Sequence, residues 1–186
     1  MKKIAIFASG NGTNAKKIID HFKNSDVIKV SLIVCNNPNA GVLTIANKSN
    51  IPVLMVGKNE FRANGYLEEL NNYGTEFIVL AGFLWKLPAS LIKAFEGKII
   101  NIHPALLPAY GGKGMYGNAV HEAVITAGER QSGITIHYVD EIYDNGEIIF
   151  QATCPVEEND TAESLAKKIH ALEHLYYPVE IEKLLK

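Results

Sequence analysis

The chain has 186 residues, of which 47% are hydrophobic and 20% are charged, and its formal net charge is −2. This length suits a single globular domain with a sizeable core, and the composition is ordinary for such a domain. The charge balance and the lack of basic runs argue against a nucleic-acid partner, and the apolar runs are too short to cross a membrane.

Short apolar runs alternate with amphipathic segments through the first hundred residues. This alternation predicts an α/β fold with a Rossmann-like, open and mostly parallel sheet flanked by helices. Strands are predicted at residues 3–8, 27–35, 52–56, 77–81 and 98–103, and helices at residues 14–24, 42–48, 60–73 and 87–95.

The pattern changes after Pro108. Residues 109–117 contain four glycines and two tyrosines, and we expect them to form a mobile loop. A long helix is predicted near residue 161, because Asp160 or Thr161 can cap it while Glu163 stands near the third position of a capping box. The other predicted elements are helix 118–127, strands 132–139 and 146–154, the acidic loop 140–146, and helices 161–177 and 178–185.

The two cysteines, Cys35 and Cys154, lie in apolar, strand-like surroundings. The apolar run at residues 4–8 is too short for the core of a signal peptide, so no secretion signal is predicted. Two cysteines without such a signal are typical of reduced thiols in the cytosol. We therefore expect a cytoplasmic protein, and we assign no chemistry to either thiol.

The turn after the first strand is rich in glycine and asparagine, with the sequence SGNGTN at residues 9–14. A glycine turn between a strand and a helix directs backbone N–H groups at an anion. The glycine spacing nearly fits the dinucleotide fingerprint, but dinucleotide binding needs an acidic residue after the second strand, where two asparagines stand. The turn predicts either a monophosphate held by Gly12, Thr13 and Asn14 or a tight turn without a ligand.

Asn101 and His103 form a polar pair at the end of the fifth predicted strand. Side chains two residues apart on a strand point to the same side. In an open parallel sheet, ligands bind at the carboxyl ends of the strands. The pair is therefore a candidate reaction centre, although a strand-end histidine bonded to local backbone would show the same pattern.

The acidic loop offers a carboxylate partner for His103. An aspartate beside an imidazole fixes its tautomer and favours its charged form. The histidine can then act as an acid or stabilise an oxyanion, with the Asn101 amide as a second donor. Asp144 is a candidate partner, but Asp140 and Glu141 compete for the role, and Asp-Asn-Gly also favours tight turns.

Metal and serine chemistry fit the sequence less well. The histidines at 103, 121 and 137 do not have the spacing of metal ligands, and no thiol accompanies them, so no metal is expected. His137 is interpreted as a strand residue near the site. Ser9 has no evident base partner, and the chain contains no Gly-x-Ser-x-Gly elbow.

Five segments taken together resemble those of a known family over essentially the whole chain. They are SGNGTN at 9–14, LAGFLWKLP at 80–88, NIHPALLP at 101–108, YDNG at 143–146 and ALEHLYYP at 171–178. In this order and spacing they resemble the glycinamide ribonucleotide (GAR, phosphoribosylglycinamide) formyltransferase family, the folate-dependent enzymes of purine biosynthesis.

This resemblance implies the formyltransferase fold, formed by a single domain over residues 1–186. It implies a ribonucleotide-phosphate-binding half at residues 1–100 and a catalytic and folate-binding half at residues 101–186. The implied reaction transfers the formyl group of the co-substrate 10-formyltetrahydrofolate to the amine of glycinamide ribonucleotide, with no metal, nucleic acid or membrane and with a monomer or homodimer as the assembly.

The matching motifs also imply roles for particular residues. Without the resemblance, Glu173 would be interpreted as part of a solvated helix face. The family often has an arginine where Trp85 stands, and in the loop 109–117 Lys113 could meet the phosphate or the folate glutamate tail. The implied residues are Asn101, His103 and Asp144 for catalysis, Gly12, Thr13, Asn14 and Glu173 for the ribonucleotide, and Arg62, Leu84, Trp85, Lys86, Leu87 and Asn101 for the folate.

Related activities and a non-catalytic function are the alternatives. A methionyl-tRNA formyltransferase would need a nucleic-acid-binding domain, and a formyltetrahydrofolate hydrolase usually has a regulatory domain; we expect neither here. A sugar-nucleotide formyltransferase and a non-catalytic nucleotide- or folate-binding module also fit the fold. The set of Asn101, His103 and Asp144 argues against the binding module.

Overall fold

The computed structural model describes residues 1–63 and 66–186. This part of the chain forms a seven-stranded sheet flanked by helices. The strands are β1 (Lys2–Phe7), β2 (Ile28–Cys35), β3 (Val53–Met55), β4 (Phe77–Leu80), β5 (Ile99–His103), β6 (Gln131–Tyr138) and β7 (Ile148–Pro155). The helices are α1 (Thr13–Phe22), α2 (Gly41–Lys48), α3 (Lys58–Arg62), α4 (Tyr66–Asn72), α5 (Ala89–Ala94), α6 (Asn118–Thr126) and α7 (Ala162–Leu185).

The strand order is β3-β2-β1-β4-β5-β6-β7. The pairs among β1 to β5 are parallel, whereas β6 and β7 join antiparallel. The chain runs from β1 outward to β2 and β3, and then returns to place β4 on the other side of β1. This reversal opens a crevice at the carboxyl ends of β1 and β4, which is where ligands bind in such sheets. The predicted α/β class with a mostly parallel sheet is confirmed.

Two hydrophobic cores cover the two faces of the sheet, because successive side chains of a strand point to opposite faces. On β1, Ile4 and Ile6 pack into the core shared with α1, α2, α6 and α7. Ala5 and Phe7 pack into the second core with α3, α4 and α5. A strand buried on both sides explains why β1 is a continuous apolar run and not an alternating one.

α7 differs from the prediction because it continues to Leu185, so residues 178–185 are not a separate helix. Pro178 lies inside it, and a proline within a helix usually costs about 3 kcal/mol. The apolar side chains of Tyr177, Ile181 and Leu185 are buried in the core, which offsets that cost. The Tyr177 hydroxyl also donates to the Leu80 carbonyl oxygen at 2.8 Å, so the helix is fixed to the end of β4.

Two further boundaries differ from the sequence-based expectations. Thr161 caps α7 as one alternative predicted, but Ser164 and not Glu163 completes the capping box. Of the predicted helix 60–73, residues 60–62 belong to α3 and residues 66–72 to α4. Asn64 and Gly65 lie outside the described residues. Among the helices that the structure describes, none has the length and apolar character needed to cross a membrane.

Candidate active site

A cavity of about 700 Å³ opens at the carboxyl ends of β1, β4 and β5. The turn after β1 and the segment after β4 form two of its walls, and the glycine-rich loop (residues 109–117), the acidic loop (residues 140–146) and α7 form further parts of its lining. Because the fold reverses between β1 and β4, these loops converge on one crevice. Most of the residues that the sequence singled out therefore line a single space.

Gly12 caps α1 in the left-handed conformation, with φ 76° and ψ 24°. A Cβ atom at this position would lie 2.7 Å from the Cβ of Val42 on α2, so only glycine fits without displacing that helix. Gly12, Thr13 and Asn14 all line the cavity, so the N-terminus of α1 borders it. Unpaired N–H groups at a helix N-terminus suit an anion such as a phosphate.

Glu173 is buried on α7 and not on a solvated helix face, with only 6% of its surface exposed. The side-chain amide of Asn14 donates to its Oε2 at 2.9 Å. Burial raises the pKa of the Glu173 carboxyl, while the Asn14 hydrogen bond and the nearby His170 lower it. The structure thus brings Glu173 into the same cavity as the α1 turn.

His103 is 97% buried at the end of β5, with 3% of its surface exposed. Its Nε2 lies 2.8 Å from the Tyr110 carbonyl oxygen, which can only accept, so Nε2 carries a proton. Its Nδ1 faces Asp144 Oδ2 at 3.6 Å, which is an ion-pair distance but too long for a hydrogen bond. A backbone carbonyl, and not the aspartate, therefore fixes the tautomer of His103. Nδ1 is the ring nitrogen that faces Asp144.

Asp144 is the acidic-loop residue that the structure brings beside His103. Its Oδ2 accepts a hydrogen bond from the Gly112 backbone at 2.9 Å, which joins the acidic loop to the glycine-rich loop. Asp140 also lines the cavity, but its two oxygens accept from the Ile142 backbone N–H at 2.7 Å and the Asn145 amide at 2.9 Å. The carboxylate of Asp140 is thus engaged within its own loop, whereas that of Asp144 faces the imidazole.

Asn101 lines the cavity on the strand that also carries His103, as the alternation of side chains predicts. Its side-chain nitrogen Nδ2 lies 3.2 Å from Nε2 of His137 on the neighbouring β6. His137 is 2% exposed, and burial lowers the pKa of its imidazole. This histidine, interpreted from the sequence as a strand residue near the site, lines the cavity directly.

The predicted folate segment, residues 84–87, lines the cavity along its full length. Trp85 packs against Phe61 and Phe83 at ring-centroid distances of 5.7 Å and 6.3 Å. The Lys86 ammonium lies 5.3 Å from the ring centroid of Tyr143 in the acidic loop, which joins two lips of the cavity through a cation–π contact. These contacts form an apolar wall with a cationic edge.

Arg62 is the one predicted site residue that stands apart. It is exposed on α3, and it is not among the described residues that line the cavity. Its contact with the folate therefore stays a prediction. Ser9 is buried, and its hydroxyl accepts from the Leu84 backbone N–H at 3.0 Å, which joins the turn after β1 to residues 84–87.

Thr135 contributes to the site in a way that the sequence did not indicate. This fully buried residue of β6 donates its hydroxyl to the Ala105 carbonyl at 2.7 Å and accepts from the Leu107 backbone N–H at 2.9 Å. Gln151 donates to the same hydroxyl at 2.8 Å and to the Leu107 carbonyl at 3.0 Å. The residues that follow His103 are thereby held to β6. These contacts depend on strand register, which the periodicity of a sequence does not give.

Two further observations concern metal and thiol chemistry. Among the described residues, no group of three or more His, Cys, Asp or Glu side chains is arranged to hold a metal ion. Neither Cys35 nor Cys154 lines the cavity. His121 does line it, and burial lowers the pKa of this imidazole to about 4, so it is uncharged near neutral pH.

Comparisons with known proteins agree with this geometry. The family model described as "Formyl transferase" matches residues 2–181. A Bacillus subtilis phosphoribosylglycinamide formyltransferase is 39% identical over 100% of this chain and 95% of its own length. A chloroplastic phosphoribosylglycinamide formyltransferase of Vigna unguiculata is 43% identical over 98% of this chain, which spans 61% of that relative.

Solved structures give the same result. The crystal structure of phosphoribosylglycinamide formyltransferase from Bacillus halodurans has a TM-score of 0.91 and 39% identity, covering 100% of this chain and 96% of that one. Glycinamide ribonucleotide transformylase 1 from Geobacillus kaustophilus has a TM-score of 0.91 and 37% identity, with 100% of both chains covered.

Proposed function

Because this chain belongs to the formyl transferase family, we propose that it transfers the formyl group of 10-formyltetrahydrofolate to the amine of glycinamide ribonucleotide. The products are formylglycinamide ribonucleotide and tetrahydrofolate. The observation that carries the proposal is the convergence of Asn101, His103 and Asp144 in one cavity that also contains the Gly12 turn.

In this reaction the amine of the ribonucleotide attacks the formyl carbon, and negative charge develops on the formyl oxygen. Protonated His103 and the Asn101 amide are the proposed donors to that oxygen. Since Nε2 of His103 is bound to the Tyr110 carbonyl, the donor is Nδ1–H. A single donor of this kind typically lowers the barrier by roughly 3–4 kcal/mol.

Asp144 has two proposed roles. Its carboxylate lies 3.6 Å from Nδ1 of His103, where it would stabilise a positive charge on the ring that donates to the formyl oxygen. It also accepts the proton that leaves the attacking nitrogen, directly or through water, and passes it towards the folate nitrogen that departs. Collapse of the tetrahedral intermediate then releases tetrahydrofolate, and no covalent bond to the protein is formed.

The binding roles follow the chemistry of each wall of the cavity. The N–H groups at Gly12, Thr13 and Asn14 would hold the phosphate, and Glu173 would accept from the glycinamide end of the substrate. Holding the amine in line with the formyl carbon can by itself lower the barrier by several kcal/mol.

The folate lies, in this proposal, along residues 84–87. The apolar wall formed with Trp85 suits the pterin ring. Lys86 supplies a positive charge at the cavity edge, which suits the carboxylates of the glutamate tail. Arg62 would reach that tail only from outside the cavity.

A formyl-transfer assay with purified protein tests the proposal. With both substrates present, tetrahydrofolate and formylglycinamide ribonucleotide should form in equal amounts. Omitting the ribonucleotide should stop tetrahydrofolate formation, which separates transfer from hydrolysis. Transfer to an amino sugar nucleotide, but not to glycinamide ribonucleotide, would contradict the proposal.

Assembly and compartment belong to the same proposal. We expect a monomer or homodimer that acts in the cytoplasm without nucleic acid or metal. Light scattering coupled to size exclusion measures the first, and fractionation of the source cells measures the second. Activity that survives exhaustive chelation would support a metal-free reaction, whereas loss that zinc or magnesium reverses would contradict it.

A further inference from the structure

We propose that His137 is a positioning residue that orients the Asn101 side chain, so that one amide N–H of Asn101 points to the developing formyl oxygen. The inference rests on the proposed formyl transfer, because Asn101 is the donor through which His137 acts. His137 itself would not contact the reacting atoms.

Register brings the two residues together. β5 and β6 pair antiparallel, and Asn101 and His137 are directly opposed Cα partners in that ladder. Directly opposed side chains have Cβ atoms about 4.5–5.5 Å apart. The contact between the two side chains is therefore fixed by the sheet and does not depend on a mobile loop.

The tautomer of His137 decides which end of the amide it can hold. Its Nδ1 lies 2.8 Å from the Tyr138 carbonyl oxygen, which can only accept, so Nδ1 carries the proton. In the neutral ring, Nε2 is then an acceptor. Nε2 lies 3.2 Å from Asn101 Nδ2, so the imidazole selects the NH₂ end of the amide.

The surroundings keep this ring neutral. Desolvation is the largest influence and lowers the pKa of His137, and the nearby His103 lowers it further. The Tyr138 carbonyl, Asp144 and Asp140 act in the opposite direction, and Asp144 Oδ1 is 3.7 Å from Nε2. The balance lowers the pKa from 6.5, so Nε2 stays unprotonated and remains an acceptor near neutral pH.

This arrangement matters because an asparagine side chain has a donor end and an acceptor end of nearly the same shape. One N–H of Asn101 is donated to His137, which leaves the second N–H for the cavity. Without an acceptor at position 137, the amide can turn over and present its oxygen to the developing negative charge. The donor would then become a source of repulsion.

A matched pair of variants tests the inference. In His137→Gln the side-chain oxygen can reach the place of Nε2, whereas the shorter amide of His137→Asn ends near the place of Nδ1. We expect His137→Gln to retain kcat within about fivefold, and His137→Asn and His137→Leu to lose about a hundred- to a thousandfold, as loss of one oriented donor does. The KM for each substrate should change by less than about threefold, because the effect is confined to the transition state.

A double-mutant cycle with Asn101→Ala gives the decisive measurement. If His137 acts through Asn101, then His137→Leu should cause no further loss of kcat in the Asn101→Ala background. Independent, multiplying losses would overturn the inference and leave the proposed function intact. Full activity of Asn101→Ala would overturn both the role of Asn101 and the inference. Thermal unfolding of each variant provides the control for folding. Equal kcat values for properly folded His137→Gln and His137→Asn would also refute the positioning role of His137.

Discussion

Replacing Asp144 by asparagine removes one charge while preserving the shape of the side chain. The carboxylate is 12% exposed and lies 3.6 Å from His103 Nδ1. With an effective dielectric constant of about 20, opposite charges at that distance attract by roughly 4–5 kcal/mol, which sets an upper limit on what the aspartate contributes to the imidazolium. Weakening a single oxyanion donor typically costs about 3–4 kcal/mol. We therefore expect Asp144→Asn to lower kcat by about a hundred- to a thousandfold.

The assay is steady-state formyl transfer, followed through the release of tetrahydrofolate at saturating concentrations of both substrates. The amide oxygen of Asp144→Asn can still accept from the Gly112 backbone N–H, so the loops should keep their positions. The KM values and the melting temperature should consequently change little.

Asp140→Asn is the matched control for this prediction. Asp140 lines the same cavity and belongs to the same loop, but its carboxylate is engaged with Ile142 and Asn145. We expect it to reduce kcat by less than about tenfold. The reasoning would be refuted if Asp144→Asn kept a third or more of the normal turnover, or if the two variants lost activity equally.

Three other predictions concern binding and stability. Gly12→Val places a Cβ 2.7 Å from Val42 Cβ and should raise the KM for the ribonucleotide at least about tenfold. Gly10→Ala is the control, because its Cβ meets nothing within 4 Å and should leave this KM unchanged. Equal KM values for the two variants would exclude a phosphate role for the turn. Glu173→Gln should raise the same KM by about 10- to 100-fold but not that of the folate, because a hydrogen bond to a charged group is worth about 1.5–3 kcal/mol; an increase in the folate KM instead would contradict the assignment. Burial lowers the pKa of His121 from 6.5 to about 4, so between these values the unfolded chain binds a proton that the folded chain does not. The free energy of unfolding, measured with urea, should therefore fall by up to about 3 kcal/mol as the pH drops from 6.5 to about 4. His121→Gln should reduce this dependence of the unfolding free energy on pH. An unchanged dependence would show that another group is responsible.

The parts of the fold that the sequence predicted well are those that depend on local pattern. β1 was predictable because a strand buried on both faces is a continuous apolar run, and the Gly12 turn followed from the strand and helix on either side. The end of α7 was predicted wrongly. A proline stops an isolated helix, but here long-range burial of Tyr177 and Ile181 holds the turns on both sides of it.

The site residues that lie in sequence motifs were predictable, whereas the contacts that depend on strand register were not. His103 and Asn101 share a face because of alternation along one strand, which the sequence contains. The contacts that fix their orientation come from the Tyr110 carbonyl and from His137, and both depend on how separate segments meet in space. Glu173 would have been assigned to solvent from the sequence alone, since nothing near it in the chain indicates that Asn14 covers it.

The position of α7 has a consequence for when, during synthesis and folding, the protein becomes able to bind its substrate. Glu173 bonds to Asn14 across 159 residues, and Tyr177 bonds to Leu80 across 97. Contacts of such long sequence separation form late, because the closure of large loops costs chain entropy before the contacts can compensate for it. During synthesis on a ribosome, the turn after β1 and the strand of His103 emerge well before the helix that completes the cavity. We therefore expect nascent chains that stop short of α7 to have no affinity for the ribonucleotide, so retention on immobilised ligand would report that the last helix has docked.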